Sequence, residues 1–178
     1  MDVLLDLPEY GSCNSLSVYL SMKGKEVQTE QVVLDALASG KKVFVPYTHS
    51  KKSNSRDAPV SVMDMLSLKS EEDYRSLPND KWGIPTPSKE SLDTRANCFG
   101  GQGIAHAGSA TAAGVGLDLV IVPGMAFDRQ LRRLGHGKGY YDTFLESYSR
   151  WCQDRGSKMP VLGMFCPGCD IVQCDLRH

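Results

Sequence analysis

The chain has 178 residues, 41% of them hydrophobic and 23% charged, a size and balance suited to one soluble domain with a single substantial core. Its formal net charge of −1 excludes any global attraction to nucleic acid or an anionic membrane, so a polyanion must be met locally. No run approaches the ~20 apolar residues of a membrane span, and the acidic start "MDVLLDLPEYGSCNSL" lacks a cationic leader and presequence arginines, so a cytoplasmic address is expected.

The six cysteines (Cys13, Cys98, Cys152, Cys166, Cys169, Cys174) are even in number, yet a chain with an ordinary core needs no staples. Reduced thiols are expected. "CPGCDIVQC" has a knuckle-like spacing, but zinc needs four ligands and only His178 stands nearby as a fourth, so buried or incidental thiols are the plainer reading.

In chain order, "SLSVYLSM" (15–22) is rich in strand formers. "TEQVVLDALASG" (29–40) places Val32, Val33, Ala36 and Leu37 at helical spacing, with Gly40 where a C′ glycine belongs. "KKVFVPY" (41–47) follows as a short strand ending at Pro46, which completes a βαβ unit with parallel strands. A polar loop, "THSKKSNSRDAP" (48–59), leads to a further strand, "VSVMDMLSL" (60–68). "SEEDYRSL" (70–77) predicts a short helix capped by Ser70, with Asp73 three residues on. The prolines of "PNDKWGIPTPS" (78–88) exclude regular structure.

Residues 97–116, "NCFGGQGIAHAGSATAAGVG", half-resemble a dinucleotide fingerprint, but no strand precedes them. They are expected to form a flexible surface loop or an insertion, and His106 goes with it. "LDLVIVPGMAFD" (117–128) has the continuous apolar run of a central strand covered on both faces. "YYDTFLESYSRWCQ" (140–153) puts Tyr141, Phe144, Leu145, Tyr148, Trp151 and Cys152 on one face of an amphipathic helix, and "PVLGMF" (160–165) is a last short strand. The alternation predicts one α/β domain over 1–178, a three-layer sandwich with a mostly parallel central sheet, Rossmann-like in type.

Between central strand and amphipathic helix lies "RRLGHGKGYYD" (132–142), at the strand end where open α/β sheets bind ligands. Gly135, Gly137 and Gly139 let backbone N–H groups approach an anion, Lys138, Arg132 and Arg133 add charge, and the helix start adds a favourable dipole. A phosphate suits this loop; a solvated basic turn is the alternative. The spacing is neither a Walker loop nor G-x-G-x-x-G, because Arg132 and Tyr140 stand where glycines would be required. Asp142, in the first helical turn, either complements the dipole or holds a hydrated Mg²⁺. Tyr141 is in phase with the apolar face, whereas Tyr140 lies off it and can meet a ligand.

"VPGMAFDRQLRRLGHGKGYYDTFL" resembles the signature of the 5-formyltetrahydrofolate cyclo-ligase family, with Leu131 where that family usually has glycine and His136 where it often has arginine. "VYLSMKGKEVQTEQVV" and "KWGIPTP" resemble two further family segments, so the likeness covers about 15–165. The resemblance implies a monomeric enzyme whose partners are 5-formyltetrahydrofolate and Mg-ATP. Arg133, Leu134, Gly135, His136, Gly137, Lys138, Gly139, Tyr140 and Tyr141 would form the ATP-phosphate loop, with Lys138 and Arg133 catalytic and Asp142 holding Mg²⁺. Leu20, Glu26, Trp82 and Tyr140 would meet the folate, Glu26 from a turn one residue longer than the family's and Trp82 with core cover as its alternative role.

The resemblance also implies a chain shortened at both ends. Family members usually begin with a basic helix, whereas nothing basic precedes Lys23, and neither Asp170 nor Asp175 matches the family's second Mg²⁺-binding aspartate. A catalytically impaired folate binder, or an α/β protein for another phosphorylated molecule, is therefore the alternative expectation.

Overall fold

A computed structural model describes residues 2–51, 60–104, 116–128, 130, 132–165 and 172–175. In chain order the elements are α1 (Asp2–Leu5), α2 (Pro8–Ser12), β1 (Ser15–Val18), α3 (Glu30–Ala38), β2 (Lys42–Lys51), β3 (Val60–Leu68) and α4 (Glu71–Arg75). A 3-10 turn (Lys89–Thr94) precedes β4 (Leu119–Pro123), β5 (Ala126–Phe127), β6 (Arg133–Leu134), α5 (Tyr140–Arg155), β7 (Val161–Phe165) and β8 (Val172–Asp175). Six strands form one sheet in the order β3-β2-β1-β4-β7-β8. The inner four are parallel, with Leu16 opposite both Val43 and Leu119, while β3 and β8 close the edges antiparallel. The expected α/β class, a mostly parallel sheet between helices, is what forms.

Strand pleating explains the layers. Alternate side chains point to opposite faces, so Leu16, Val18, Val43, Val45, Leu119 and Ile121 meet Val32, Val33 and Ala36 of α3 on one side. Phe44, Val120 and Val122 meet Phe144, Tyr148 and Cys152 of α5 on the other. Each fully buried side chain of this size contributes about 1.5–3 kcal/mol. On the α5 face the rings of Phe99, Phe144, Tyr148 and Trp151 pack with centroids 5.3–6.1 Å apart, and the Tyr148 hydroxyl accepts the Leu117 amide at 2.6 Å. The Asp118 carboxylate joins the central strands, accepting the backbone amides of Asn14 at 2.8 Å and Ser15 at 3.0 Å.

Several boundaries differ from expectation. β1 stops at Val18, because the Thr29 hydroxyl takes the Tyr19 carbonyl at 2.6 Å and draws the chain into a loop. β2 does not end at Pro46. It runs to Lys51, paired with β3 from Val43 onward. Its pairing to β1 covers only Lys42 to Phe44, so Pro46 falls where one side has no neighbouring strand, a position that tolerates a missing N–H. Of the expected loop at 48–59, residues 48–51 are therefore strand, and residues 52–59 lie outside the described residues. The apolar run 117–128 is broken at Gly124, after which β5 and β6 form a small antiparallel ribbon, and β8 is a strand the sequence did not announce.

The expectation of a surface loop from Asn97 fails for its first part. Asn97 and Cys98 are buried; Cys98 donates its amide to the Met65 carbonyl at 3.1 Å and Asn97 bridges Leu66, so this segment lines the outer edge of β3. The Asn97 amide nitrogen ties Asp64 Oδ1 to the Gly103 carbonyl, each at 3.0 Å. Residues 105–115, with His106, lie outside the described residues. The Ser70 cap forms as expected: its hydroxyl accepts the Asp73 amide at 3.2 Å, and Asp73 accepts the Lys69 amide at 2.9 Å. Cys13, Cys98 and Cys152 are buried free thiols, pushed above their ordinary pKa by burial. Cys166, Cys169 and His178 lie outside the described residues.

Candidate functional site

The crossover from β1 through α3 leads to β2 on one side of β1, and that from β4 through α5 leads to β7 on the other side of β4. Adjacent strands β1 and β4 are therefore the point where the winding reverses, and the loops leaving their carboxyl ends part to open a crevice. A cleft of about 190 Å³ lies there, lined by Tyr19, Lys25, Glu26 and Val27 after β1 and by Pro123, Gly124, Met125 and His136 after β4.

The β1 side is a fixed turn. Glu26 accepts the Met22 amide at 2.7 Å, and the buried Tyr19 hydroxyl donates to the Val27 carbonyl at 2.9 Å. Burial, then the Glu26 charge, raises the Tyr19 phenol above its ordinary pKa.

The β4 side is built on two close approaches that explain two glycines. A Cβ on Gly124 would lie 2.4 Å from the Phe127 ring, which packs back against the α5-side core. The ribbon is then turned by Asp128, which accepts the amides of Gln130 at 2.9 Å and Arg132 at 3.0 Å and the Arg132 Nε at 2.6 Å. Those bonds, the Arg132 amide first, hold the Asp128 carboxyl below its ordinary value.

Arg133 doubles back across Gly135, where a Cβ would stand 2.5 Å from its Nη1. Its guanidinium donates to the Pro123 carbonyl at 3.2 Å and to Asp142 Oδ1 at 2.7 Å, and it lies 5.6 Å from the centre of the Tyr141 ring. The Tyr141 phenol, packed against the core, is raised above its ordinary pKa by burial and then by the proximity of Tyr19 and Glu26.

Gly137 and Gly139 are glycines for a different reason. Nothing crowds either position, but both have positive φ, +76° and +67°. Gly139 starts α5 without a side-chain cap, so among the described residues no side chain occupies the N–H groups of the first turn. Lys138 is exposed and has no hydrogen bond or ion pair among the described residues, whereas Arg132 and Arg133 are each held by an aspartate. The two arginines therefore act locally as braces, and Lys138 is the cation the loop leaves available.

Of the residues expected from the sequence, Arg133, Tyr141 and Asp142 come together, and His136 and Glu26 face each other across the cleft. Tyr140 is half-buried against the α5-side core, and Leu134 is exposed on the ribbon. Leu20 is 5% exposed in the α3-side core and not in the lining. Trp82 is 60% exposed on its own loop, with the Lys81 ammonium 4.1 Å from its ring centre; it neither covers the core nor lines the cleft. Sequence reasoning missed Tyr19, Lys25, Val27 and Met125. Strand-end position was the signal for Tyr19, and the Pro-Gly break after β4 was the signal for Met125.

Asp142, 66% exposed, is the candidate metal ligand, and no group of three or more His, Cys, Asp or Glu able to hold a metal occurs among the described residues. One exposed carboxylate does not make a resident metal centre. It does fit Mg²⁺ carried on a nucleotide, an ion that keeps several waters and takes one or two carboxylates besides phosphate oxygens.

A doubly wound α/β domain with its cleft at the winding reversal and a glycine-rich loop on one wall is the class these features define. The chain belongs to the 5-formyltetrahydrofolate cyclo-ligase family, whose model matches residues 2–166. It is 35% identical over 158 residues to a probable 5-formyltetrahydrofolate cyclo-ligase of Schizosaccharomyces pombe, covering 87% of this chain and 63% of that protein. To the 5-formyltetrahydrofolate cyclo-ligase of Mus musculus it is 35% identical over 138 residues, 78% of this chain and 56% of the mouse protein. To the protein named 5-formyltetrahydrofolate cyclo-ligase, mitochondrial, of Arabidopsis thaliana it is 32% identical over 165 residues, 89% and 52% of the respective lengths. The chain thus spans less than two thirds of the curated relatives it matches. Among the described residues no helix is long and apolar enough to cross a membrane.

Proposed function

We propose that the chain, as a cytoplasmic monomer, converts 5-formyltetrahydrofolate and ATP into 5,10-methenyltetrahydrofolate, ADP and phosphate. The observation that carries this reading is the uncapped Gly135–Gly139 loop opening onto the Tyr19–Glu26 cleft at the winding reversal, in a chain of the cyclo-ligase family.

A formyl amide oxygen is a poor leaving group, and phosphorylation makes it a good one. The γ-phosphoryl passes to the formyl oxygen as ADP leaves; N10 then attacks the formyl carbon, and the C–O bond breaks to release phosphate. Both steps need positioning and charge neutralisation rather than a side-chain nucleophile. Loop N–H groups and the Lys138 ammonium would hold the phosphates. Asp142 would hold Mg²⁺, which when bound neutralises phosphate charge. Arg133 fixes Asp142 and Tyr141 in place while adding positive charge beside the loop. The folate would enter from the Glu26 side, Leu20 supporting that wall from the core; Tyr140 and Trp82, which lie outside the cleft lining, would meet only the part of the folate that extends beyond it.

The protein incubated with 5-formyltetrahydrofolate and Mg-ATP should form methenyl product and ADP in equal amounts, read by absorbance of the conjugated bridge and by a coupled ADP assay. Folate binding without product would replace this reading with that of an impaired binder. Neither binding nor product would assign the loop to another phosphorylated molecule.

A further inference from the structure

At the end of the sheet opposite the cleft lies a second, larger groove of about 500 Å³. It opens where β2 begins and β3 ends, between the last turn of α3 and the start of α4. Because β2 runs parallel to β1 and β4, its first residue stands at the far side of the sheet from their carboxyl ends. Leu37, Ala38, Leu68 and Ala96 are among its apolar lining residues, and Lys41, Lys42 and Lys69 are its basic ones.

These lysines are not equivalent. Lys41 donates to the Cys13 carbonyl at 2.9 Å and fastens α2. Lys69 reaches the Thr94 hydroxyl at 3.0 Å, and Lys42 is exposed with no side-chain partner among the described residues. Lys42, the first residue of β2, and Lys69, the residue just after β3, flank the Val43–Leu68 pair at the ladder's end. Like charges opposite one another on adjacent strands repel. The carboxylate in the lining, Glu71, is paired with Arg75 Nε at 2.8 Å and does not relieve that repulsion.

We propose that this groove is a second ligand site, for a small amphiphilic anion: an aromatic or aliphatic body bearing one phosphate, sulfonate or carboxylate. The body would displace water from Leu37, Ala38, Leu68 and Ala96, and the anionic group would sit between Lys42 and Lys69 in charge-assisted contacts. The volume lies in the range of small-molecule pockets, which bounds the ligand's size.

The test uses 8-anilinonaphthalene-1-sulfonate, which carries both parts of the proposed ligand and fluoresces on leaving water, titrated into the full chain. Saturable binding at one site is expected, displaced by phenyl phosphate or by benzoate; the better competitor identifies the preferred anionic group. Lys42→Glu combined with Lys69→Glu should weaken dye binding about tenfold or more. Ala38→Trp, at an exposed position of α3, should fill the groove and weaken binding similarly with circular dichroism unchanged. Lys138→Ala should bind the dye as the parent does. Unchanged affinity in the Ala38→Trp variant, or loss in Lys138→Ala, would overturn the proposal, because the dye would then be held by diffuse charge or by the cleft.

Discussion

Replacing Gly135 by alanine isolates the role of the Arg133 brace. An added methyl would stand 2.5 Å from Arg133 Nη1 and 3.2 Å from its Cζ, whereas ordinary contact begins near 3.4 Å. The obstacle is the far end of a flexible side chain, so the guanidinium retreats by roughly 1 Å while the backbone stays, a displacement that elsewhere in active sites costs on the order of 10²-fold in rate. That movement carries the 3.2 Å bond to the Pro123 carbonyl beyond hydrogen-bonding range and misaligns the 2.7 Å pair with Asp142. One neutral-acceptor bond and a largely exposed ion pair are together worth only about 1–1.5 kcal/mol of stability. Gly135→Ala should therefore lower the urea midpoint slightly and reduce kcat/KM for ATP by about 10- to 100-fold. Urea unfolding followed by circular dichroism, and initial rates at varied ATP, measure the two. A variant with parental kcat/KM, or one that loses more than about 3 kcal/mol of stability, would refute the assignment of Arg133 as a brace for the site.

Lys138→Ala should leave stability within about 0.5 kcal/mol, since its ammonium makes no bond among the described residues, yet cost about 2–4 kcal/mol in kcat/KM for ATP. In a Trp151→Phe background, added folate should quench and shift Trp82 emission; an unchanged spectrum at saturating folate would remove Trp82 from the folate surface. Burial pushes the Asp73 carboxyl up, but the two 2.7 Å bonds from Arg95 and its charge outweigh this and hold it below its ordinary value. A depressed carboxyl contributes stability that is present above its unfolded pKa of about 4 and is lost as pH falls through the lower folded value. Acid titration of stability should show this loss below pH about 4. Asp73→Asn should flatten that limb and cost about 3–5 kcal/mol at neutral pH, because Arg95 is left buried beside a neutral amide.

The class of fold was legible because the hydrophobic pattern reports burial directly: the strand formers of 15–18, the continuous apolar run of 119–123 and the i, i+3, i+4 stripe of α5 are local facts about one element. The glycine loop was legible as a local cluster, although the sequence reading explained its glycines by close approach of an anion and the structure adds the positive φ of Gly137 and Gly139. What was hidden depends on distant partners. Pro46 reads as a strand end until the shortness of β1 shows that β2 has no neighbour there on one side. Asn97 and Cys98 read as loop because their pairing is with Met65 and Leu66, thirty or so residues earlier. In the candidate site, the ion pairs of Arg132 with Asp128 and of Arg133 with Asp142 were hidden, since both follow from how the chain doubles back between β5 and α5, which periodicity does not encode.

The position of β1 between β2 and β4 has a consequence for how the chain is made. β1, α3, β2 and β3 pair with close neighbours in sequence, but β4 must reach β1 across a separation of 103 residues, the span of the Ser15–Asp118 bond. Contacts of such long range close late and slowly. As the chain emerges from the ribosome, the first three strands can assemble while one edge of β1 still lacks its neighbour, presenting unpaired amides and carbonyls flanked by Leu16 and Val18. Until residues 119–123 arrive, that edge is a template for a wrong partner. The same seam that opens the cleft in the finished protein is thus the longest-range strand pairing that synthesis has to close, and a place where crowded nascent chains would join one another.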